Sequence, residues 1–231
     1  MAVTTREVNI PGGTPGLNGY LAEPEGAGAG KLPALVVIHE IYGLNDNIRE
    51  IARRFAEQGY AALAVDLFAG RSRAVCMFRF MANMFVNSLQ HDGIHDLHAA
   101  LSFLETQPEI DSAKIGAVGF CLGGAFVIAW ACTDERLKVV APFYANNPRP
   151  LAAVERLCPV VGSYPEKDIS SGAGHKLDAA LDDYKIEHDI KFYPESTHSF
   201  FNQRRDLQPG NVAAAADSWT RVLAFFGEHL S

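Results

Sequence analysis

The sequence predicts an α/β fold in which a mostly parallel, doubly wound sheet carries helices on both faces. Short apolar runs of strand length recur along the chain, helical patterns separate them, and glycine or polar turns lie between the two. A length of 231 residues suits one domain of this kind. We therefore expect a single domain over residues 1–231, in which residues 1–30 form an N-terminal hairpin and a glycine-rich loop that leads into the sheet.

Each element follows from a local pattern. The run at 35–38 is apolar throughout, as in a strand that is buried on both faces. Gly59 ends one helical pattern, and a later helix carries Ile94, Leu97 and Leu101 on one stripe. The predicted strands are 35–38, 60–65, 114–118, 138–143, 159–162 and 189–193, and the predicted helices are 47–58, 92–106, 122–131, 175–183 and 213–226.

Composition excludes several classes of function. The formal net charge is −7, so no overall positive field attracts nucleic acid or anionic lipid. The first 13 residues lack the pattern of a signal peptide, and the apolar runs are far shorter than the ~20 residues that span a membrane. We expect a cytoplasmic protein that binds neither nucleic acid nor membrane and acts as a monomer or homodimer. The four cysteines are scattered, without zinc-site spacing: Cys76, Cys121, Cys132 and Cys158.

The segment GFCLG at 119–123 carries the strongest chemical signal, because it follows a strand pattern and opens an apolar helix. A tight strand-to-helix turn strains its central residue, so both flanking positions must be small, and Gly119 and Gly123 are. Cys121 then stands at a helix N-terminus, where the dipole lowers the pKa of a thiol. We interpret Cys121 as a nucleophile, with the backbone N–H of Leu122 facing an oxyanion. The alternative is a buried structural cysteine after a glycine-rich turn.

Two later loops supply an acid and a base. Ligands of such sheets bind at the carboxyl ends of the strands, and Asp168 and His198 each follow a predicted strand. Cys121, Asp168 and His198 also follow the chain order of nucleophile, acid and histidine that is found in hydrolases with this turn motif. His198 would take the thiol proton while Asp168 fixes its tautomer. The rivals are His175 and His188 for the base, and Glu166, Asp178, Asp182 and Asp183 for the acid.

Four segments together identify a family. They are VVIHEIYGLN at 36–45, QGY at 58–60 leading to Asp66 and Leu67, GFCLGG at 119–124, and HSF at 198–200. From about residue 35 to 226 the chain resembles the dienelactone hydrolase (carboxymethylenebutenolidase) family of the α/β-hydrolase superfamily. The resemblance implies the α/β-hydrolase fold, no metal and no cofactor, and a small-molecule ester or lactone as substrate.

The resemblance also implies roles for single residues. It gives a triad of Cys121, His198 and Asp168 and an oxyanion hole from the backbone N–H groups of Leu122 and Ile41. The glutamate that matches Glu40 approaches the resting thiol in this family and is displaced when substrate binds. A carboxylate beside a thiol keeps the thiol protonated, which agrees with that role. The alternative for Glu40 is a loop carboxylate that is bonded to backbone.

The sequence departs from the family around the substrate. Asn202 stands where dienelactone-specific members carry an arginine for the substrate carboxylate. Arg204 and Arg205 lie close by, and Arg79 approximates a second arginine of the family, but none of the three aligns cleanly with the family positions. Pro165 replaces a glycine before the acid loop, and Ser196 and Thr197 precede the histidine where small residues are common. The triad chemistry transfers better than the dienelactone specificity. The residues that we expect to border the substrate are Tyr42, Phe78, Arg79 and Asn202.

Two further segments have competing interpretations. In residues 71–90, apolar side chains at helical spacing predict either a helix that packs inward or an apolar lid over the pocket: Met77, Phe78, Met81, Met84 and Phe85. His91, His95 and His98 share one helix face, which we expect to point to solvent rather than to bind a metal. We expect Cys132 and Cys158 in the core, Cys76 exposed, and Asp66 bonded within its own turn.

The favoured function is a thiol-dependent hydrolase that cleaves a lactone or carboxylic ester through an acyl-enzyme. A broad carboxylesterase or thioesterase on the same triad is the nearest alternative. A glutaminase-type amidotransferase also uses a cysteine on such a turn, but it usually places its acid two residues after the histidine, where this chain has Phe200. The last alternative is a non-catalytic binding protein that has kept the fold.

Overall fold

The computed structural model describes residues 1–26, 31–72, 74–76, 78, 80, 82, 88–202 and 207–231. Within these residues the strands are β1 Val3–Asn9, β2 Asn18–Pro24, β3 Leu32–Ile38, β4 Ala61–Asp66, β5 Ile110–Phe120, β6 Val140–Phe143, β7 Val160–Pro165 and β8 His188–Tyr193. The helices are α1 Asp46–Glu57, α2 Asp92–Glu105, α3 Leu122–Ala131, α4 Ser171–Tyr184 and α5 Pro209–His229, with a 3₁₀ helix at Leu151–Arg156. None of these helices is long and apolar enough to cross a membrane.

The strands form one eight-stranded sheet in the order β1-β2-β4-β3-β5-β6-β7-β8. β1 and β2 are antiparallel to each other, and β2 is antiparallel to β4. From β4 to β8 every neighbouring pair is parallel. The carboxyl ends of β3, β5, β6, β7 and β8 therefore lie at one edge, and the loops that leave them meet there.

The core has a layer on each face of the sheet. On one face α2, α3 and α4 contribute buried side chains that include Leu97, Phe126 and Leu177. On the other face α1 and α5 bury Phe55 and Phe226, whose rings stack with their centroids 6.2 Å apart. Both faces are thus covered, which is why the central strands are apolar at successive positions.

The predicted mostly parallel, doubly wound sheet is confirmed, and each predicted strand and helix overlaps one in the structure. Two helices begin four residues earlier than predicted: α4 begins at Ser171 rather than 175, and α5 begins at Pro209 rather than 213. The glycines of α4 explain the difference there. Gly172 and Gly174 weaken the helical pattern there. Gly174 has a packing reason, because a Cβ at this position would lie 2.8 Å from the Tyr164 ring. A close approach between α4 and β7 therefore requires glycine in the first turn.

Candidate active site

Cys121 occupies the tight turn between β5 and α3. Its φ of 55° and ψ of −112° lie where only glycine is unstrained. Its backbone N–H donates to the Phe143 carbonyl at 3.0 Å, which anchors the turn. A Cβ at Gly119 would overlap the backbone of Gly123, and a Cβ at Gly123 would overlap the Ile38 carbonyl. Small residues are needed on both sides of the cysteine, as the sequence predicts.

His198 and Asp168 meet at this edge of the sheet. The Nδ1 atom of His198 lies 2.8 Å from Oδ2 of Asp168, and the backbone N–H and hydroxyl of Ser170 donate to the same oxygen. Burial disfavours the ionised form of Asp168, but the hydrogen bonds from His198 and Ser170 outweigh it and lower the pKa of the carboxyl. An ionised Asp168 accepts a hydrogen bond from Nδ1–H, which leaves Nε2 of His198 unprotonated and able to accept a proton.

The rivals for these two roles pair with each other elsewhere. His175 lies 3.4 Å from Glu166, and His188 lies 3.3 Å from Asp178. Neither imidazole lines the cavity that contains the Cys121 thiol. The other two acid candidates, Asp182 and Asp183, are exposed on α4. The structure therefore brings together the acid and base that the strand-end positions predict.

The surroundings of the Cys121 thiol favour its protonated form. The hydrogen bonds of the described residues do not include one between Cys121 Sγ and the His198 imidazole. Burial and the neighbouring Glu40 carboxylate raise the pKa of the thiol to about 11, although the Leu122 N–H, which hydrogen-bonds the sulfur, lowers it. At neutral pH the sulfur is therefore protonated and is a weak nucleophile.

Glu40 is buried directly after β3, with 2% of its surface exposed. Its Oε1 accepts from the Tyr144 hydroxyl at 3.4 Å, and its Oε2 accepts from Nδ2 of Asn202 at 2.9 Å. His39 fixes the peptide, because its ring bonds the Glu40 carbonyl at 2.6 Å and accepts the Leu67 N–H at 3.2 Å. Two uncharged donors thus hold a buried carboxylate near the thiol.

A cavity of about 880 Å³ lies over Cys121 and His198. Its wall is mostly apolar and includes Ala125, Leu151 and the exposed Ile169. Cationic side chains also reach it, since Arg149 and Lys176 are among its lining residues. Such a pocket can enclose an apolar group of moderate size next to the sulfur.

Ile41 and Leu122, the residues predicted to form an oxyanion hole, both line this cavity. They follow β3 and β5, which are hydrogen-bonded neighbours in the sheet. The Leu122 N–H hydrogen-bonds the sulfur, so it lies beside the place where the oxyanion of an attacked carbonyl group would develop. Their placement is compatible with the predicted role.

The predicted substrate-binding residues are not among those that line this cavity in the described part of the chain. Tyr42, Phe78 and Asn202 do not line the cavity, and Arg79, Arg204 and Arg205 are outside the described residues. Asn202 is 3% exposed and its amide is bonded to Glu40, while the Phe78 side chain is 77% exposed. No substrate is bound that would test these positions, so the role of Tyr42, Phe78, Arg79 and Asn202 at the substrate stays a prediction.

Sequence reasoning missed Tyr144 and Ser170. Tyr144 is fully buried after β6, has a φ of 40°, and packs against His198 with the ring centroids 5.0 Å apart and the ring planes tilted by 55°. A search of every strand end would have found it, since it follows Phe143 directly. Ser170 lies two residues after Asp168, a spacing at which a side chain commonly bonds the preceding backbone or carboxylate.

The other cysteines are structural. Cys132 packs in the core as expected, whereas Cys158 is partly buried and packs against the core, and burial raises the pKa of both thiols to about 12. Cys76 was expected to be exposed, but its side chain is 3% exposed and packs in the same core layer. In this segment Phe80 also packs inward, against Phe68 and Phe126. Met77, Met81, Met84 and Phe85 lie outside the described residues.

The histidine face of α2 was expected to point to solvent, and this is wrong for His91. Its ring is buried at the start of α2, accepts the Gly93 N–H at 3.1 Å, and has a pKa lowered by burial to about 4. His98 instead bonds Asp134 at 2.7 Å. The group within the described residues that could hold a metal ion does not include these histidines; it consists of Glu187, Glu228 and His229. Asp66 accepts the Phe68 N–H at 3.0 Å, as expected of a turn residue.

Comparisons with known proteins agree with this geometry. A relative from Saccharolobus solfataricus, named "Putative carboxymethylenebutenolidase", is 32% identical over 90% of this chain and 93% of its own. A solved dienelactone hydrolase-like promiscuous phosphotriesterase from metagenomic libraries is 27% identical, covers both chains completely and superposes with a TM-score of 0.86. The fold is therefore that of α/β-hydrolases. The model of the dienelactone hydrolase family matches residues 17–230, and the chain belongs to this family.

Proposed function

We propose that this chain is a cysteine-dependent hydrolase that opens a carboxylic ester or lactone through an acyl-enzyme on Cys121. His198 is the base and Asp168 the acid that orients it. The observation that carries the proposal is the 2.8 Å hydrogen bond between His198 and Asp168, on the same cavity as a cysteine in a strained turn. Every group that the reaction needs is a protein side chain or backbone N–H, so it requires no cofactor.

The first step is activation of the thiol. Because the resting sulfur is protonated and unbonded to His198, a bound substrate must displace Glu40 and allow Sγ to turn toward Nε2. The thiol proton then moves to Nε2, and the ionised Asp168 stabilises the imidazolium. A low pKa at Asp168 favours this, since the acid remains charged throughout turnover.

Acyl transfer follows from the same geometry. Sγ forms a bond to the substrate carbonyl carbon, and the backbone N–H groups of Leu122 and Ile41 receive the oxyanion. The intermediate collapses as the C–O bond breaks, and the leaving alkoxide takes the proton from His198. Water then attacks the thioester, gives its proton to His198, and releases the carboxylic acid; that proton returns to the sulfur.

A broad carboxylesterase or thioesterase on the same triad is the second candidate. The size of the cavity and its mostly apolar wall favour it, since an apolar wall accepts acyl groups of different shapes. One relative is described as a promiscuous phosphotriesterase, so phosphotriesters belong in a substrate panel with lactones, aryl esters and thioesters. The substrate with the largest kcat/KM decides between the two candidates.

The amidotransferase alternative finds less support. Its acid would stand two residues after the histidine, and that position holds Phe200, which is 1% exposed among aromatic rings. A non-catalytic binding protein would have no reason to keep three donors on one Asp168 oxygen. Turnover of an ester with no release of ammonia from glutamine separates these classes.

The experiment that tests the proposal compares two cysteine variants in steady-state hydrolysis of an aryl acetate. Cys121→Ala should lose activity by ~1,000-fold or more, as removal of a nucleophile does in other triads. Cys158→Ala is the matched control, because this thiol packs against the core and does not line the cavity, and it should keep wild-type kcat. Full activity in Cys121→Ala would overturn the proposal.

A further inference from the structure

Asn202 has a function in this structure that its position in the sequence does not indicate. It donates from Nδ2 to Oε2 of Glu40 at 2.9 Å, and both side chains are almost completely buried. The second donor to that carboxylate, the Tyr144 hydroxyl, is at 3.4 Å and is the weaker of the two. A buried carboxylate depends on such donors, so the amide contributes most to fixing where Glu40 lies.

The backbone around Asn202 is itself well fixed. Its N–H donates to the Ser199 carbonyl at 2.8 Å, which closes a turn directly after His198. Phe200 and Phe201 between them are 1% and 2% exposed and pack on aromatic rings of the core. One short loop after β8 therefore carries both the proposed base and the amide that holds Glu40.

The side chain that holds Glu40 is an uncharged amide, and this determines how Glu40 acts on the thiol. An amide carries no net charge, so it orients Glu40 without cancelling its negative charge. We propose that Asn202 is a positioning residue, which holds the Glu40 carboxylate beside the Cys121 thiol and so keeps the site in its resting state. The inference rests on the proposed function, because it takes Cys121 to be the nucleophile. Activation then requires the bond between Asn202 and Glu40 to break.

Other ionisable groups also face the sulfur and must be considered. Glu40 comes from the end of β3, Tyr144 from the end of β6, Asp168 from the loop after β7, and His198 from the loop after β8. Asp168 also raises the pKa of the thiol, but less than Glu40 does. Asn202 is uncharged and contacts Glu40, so its removal should act on the pKa of the thiol through that carboxylate.

The test measures the pH dependence of alkylation of Cys121 by iodoacetamide, followed by mass spectrometry of the peptide that contains it. Asn202→Leu removes the donor at similar volume, and Glu40→Gln removes the charge. The midpoint is the pH at which the rate of alkylation is half its maximum. In each variant this midpoint should fall by ~1 pH unit, because the negative charge of Glu40 no longer lies beside the thiol. The double variant should show no further fall, since both changes act on one interaction.

Two more variants keep the test decisive. Asn147→Leu is the matched control: Asn147 lines the cavity but bonds the Ala173 carbonyl, so the midpoint should stay at the wild-type value. If Asn202→Leu does not fold, Asn202→Ala replaces it, and Asn202→Gln, which retains a donor, should stay closer to wild type. An unchanged midpoint in the folded variant without the amide, or shifts that add in the double variant, would overturn the inference.

The readout separates this inference from the proposed function. Alkylation of the thiol does not depend on turnover of any ester. If the midpoint falls in Asn202→Leu as predicted but Cys121→Ala remains active, the positioning role of Asn202 stands and the proposed hydrolase mechanism is rejected. An unchanged midpoint with an inactive Cys121→Ala enzyme would do the opposite.

Discussion

Asp168 holds His198 with a single oxygen: Oδ2 accepts from Nδ1 at 2.8 Å, and the same oxygen takes both donors of Ser170. We predict that Asp168→Asn lowers kcat by ~1,000-fold to 10,000-fold, because an amide can present N–H to Nδ1 and so favours the wrong tautomer. Steady-state hydrolysis of an aryl ester measures this effect. Asp183→Asn, an exposed carboxylate on α4, is the control and should leave kcat unchanged. A loss smaller than tenfold in Asp168→Asn would exclude Asp168 as the orienting acid.

The pKa of the Cys121 thiol predicts how the resting enzyme reacts with an alkylating agent. The pKa is raised to about 11 by burial and by Glu40, and only the thiolate reacts. The rate of alkylation by iodoacetamide should therefore rise about tenfold per pH unit through neutral and mildly alkaline pH. The rate constant for loss of the free thiol, measured against pH, checks this. A plateau that is reached below pH 8 would show that the resting sulfur is not held protonated.

Gly172 offers a way to test which part of the cavity receives substrate. It lines the cavity in the first turn of α4, and no atom lies within 4 Å of a Cβ added there. We predict that Gly172→Leu leaves the fold intact and reduces kcat/KM for bulky acyl esters ~10-fold or more, while acetate esters are hydrolysed as before.

The control for this prediction is another open helical glycine. A Cβ added at Gly227 in α5 would also have no atom within 4 Å, but Gly227 does not line the cavity. Gly227→Leu should leave the preference among acyl chains unchanged. Equal losses for short and bulky esters in Gly172→Leu would indicate a general distortion rather than a filled pocket.

Asp134 makes a prediction about stability. Burial disfavours its charge, but hydrogen bonds from His98 and Arg136 outweigh burial and hold the pKa of the carboxyl well below its usual range. We expect Asp134→Asn to lower the free energy of unfolding at pH 7 by ~1–3 kcal/mol, as for hydrogen bonds to a charged group. Urea denaturation measures this, with the exposed neighbour Glu135→Gln as control.

The sign of the pH dependence follows from the lowered pKa. Stabilisation by the charged Asp134 is complete above the unfolded-state pKa of about 4 and is lost as the pH falls toward the lower folded-state pKa. The difference in unfolding free energy between wild type and Asp134→Asn should thus shrink at acid pH. A difference that grows on acidification would contradict this expectation.

The fold and the positions of Cys121, Asp168 and His198 could be predicted from sequence because each has a local signature. Gly119 and Gly123 mark the turn, since any Cβ there would overlap backbone. Asp168 and His198 follow parallel strands, and all such strand ends converge at one edge whatever the order of the strands. Periodicity and turn chemistry are therefore sufficient to place these residues.

The surroundings of the thiol could not be predicted in the same way. The contact of Glu40 with Asn202 joins residues 162 positions apart, and it depends on the direction of each side chain within its loop. Motif position suggested that Asn202 faces substrate, whereas its amide turns toward the carboxylate. His91 was likewise placed by helix periodicity alone, but it caps α2 and is covered by Phe126 and Phe80.

The most direct test of the proposed mechanism is rapid-quench mass spectrometry of the wild-type enzyme during turnover of an aryl ester. We predict that the peptide containing Cys121 gains the mass of one acyl group, at a rate no slower than turnover, and loses it again as substrate is exhausted. Continued hydrolysis while Cys121 stays unmodified, or an acyl group on another residue, would contradict the mechanism.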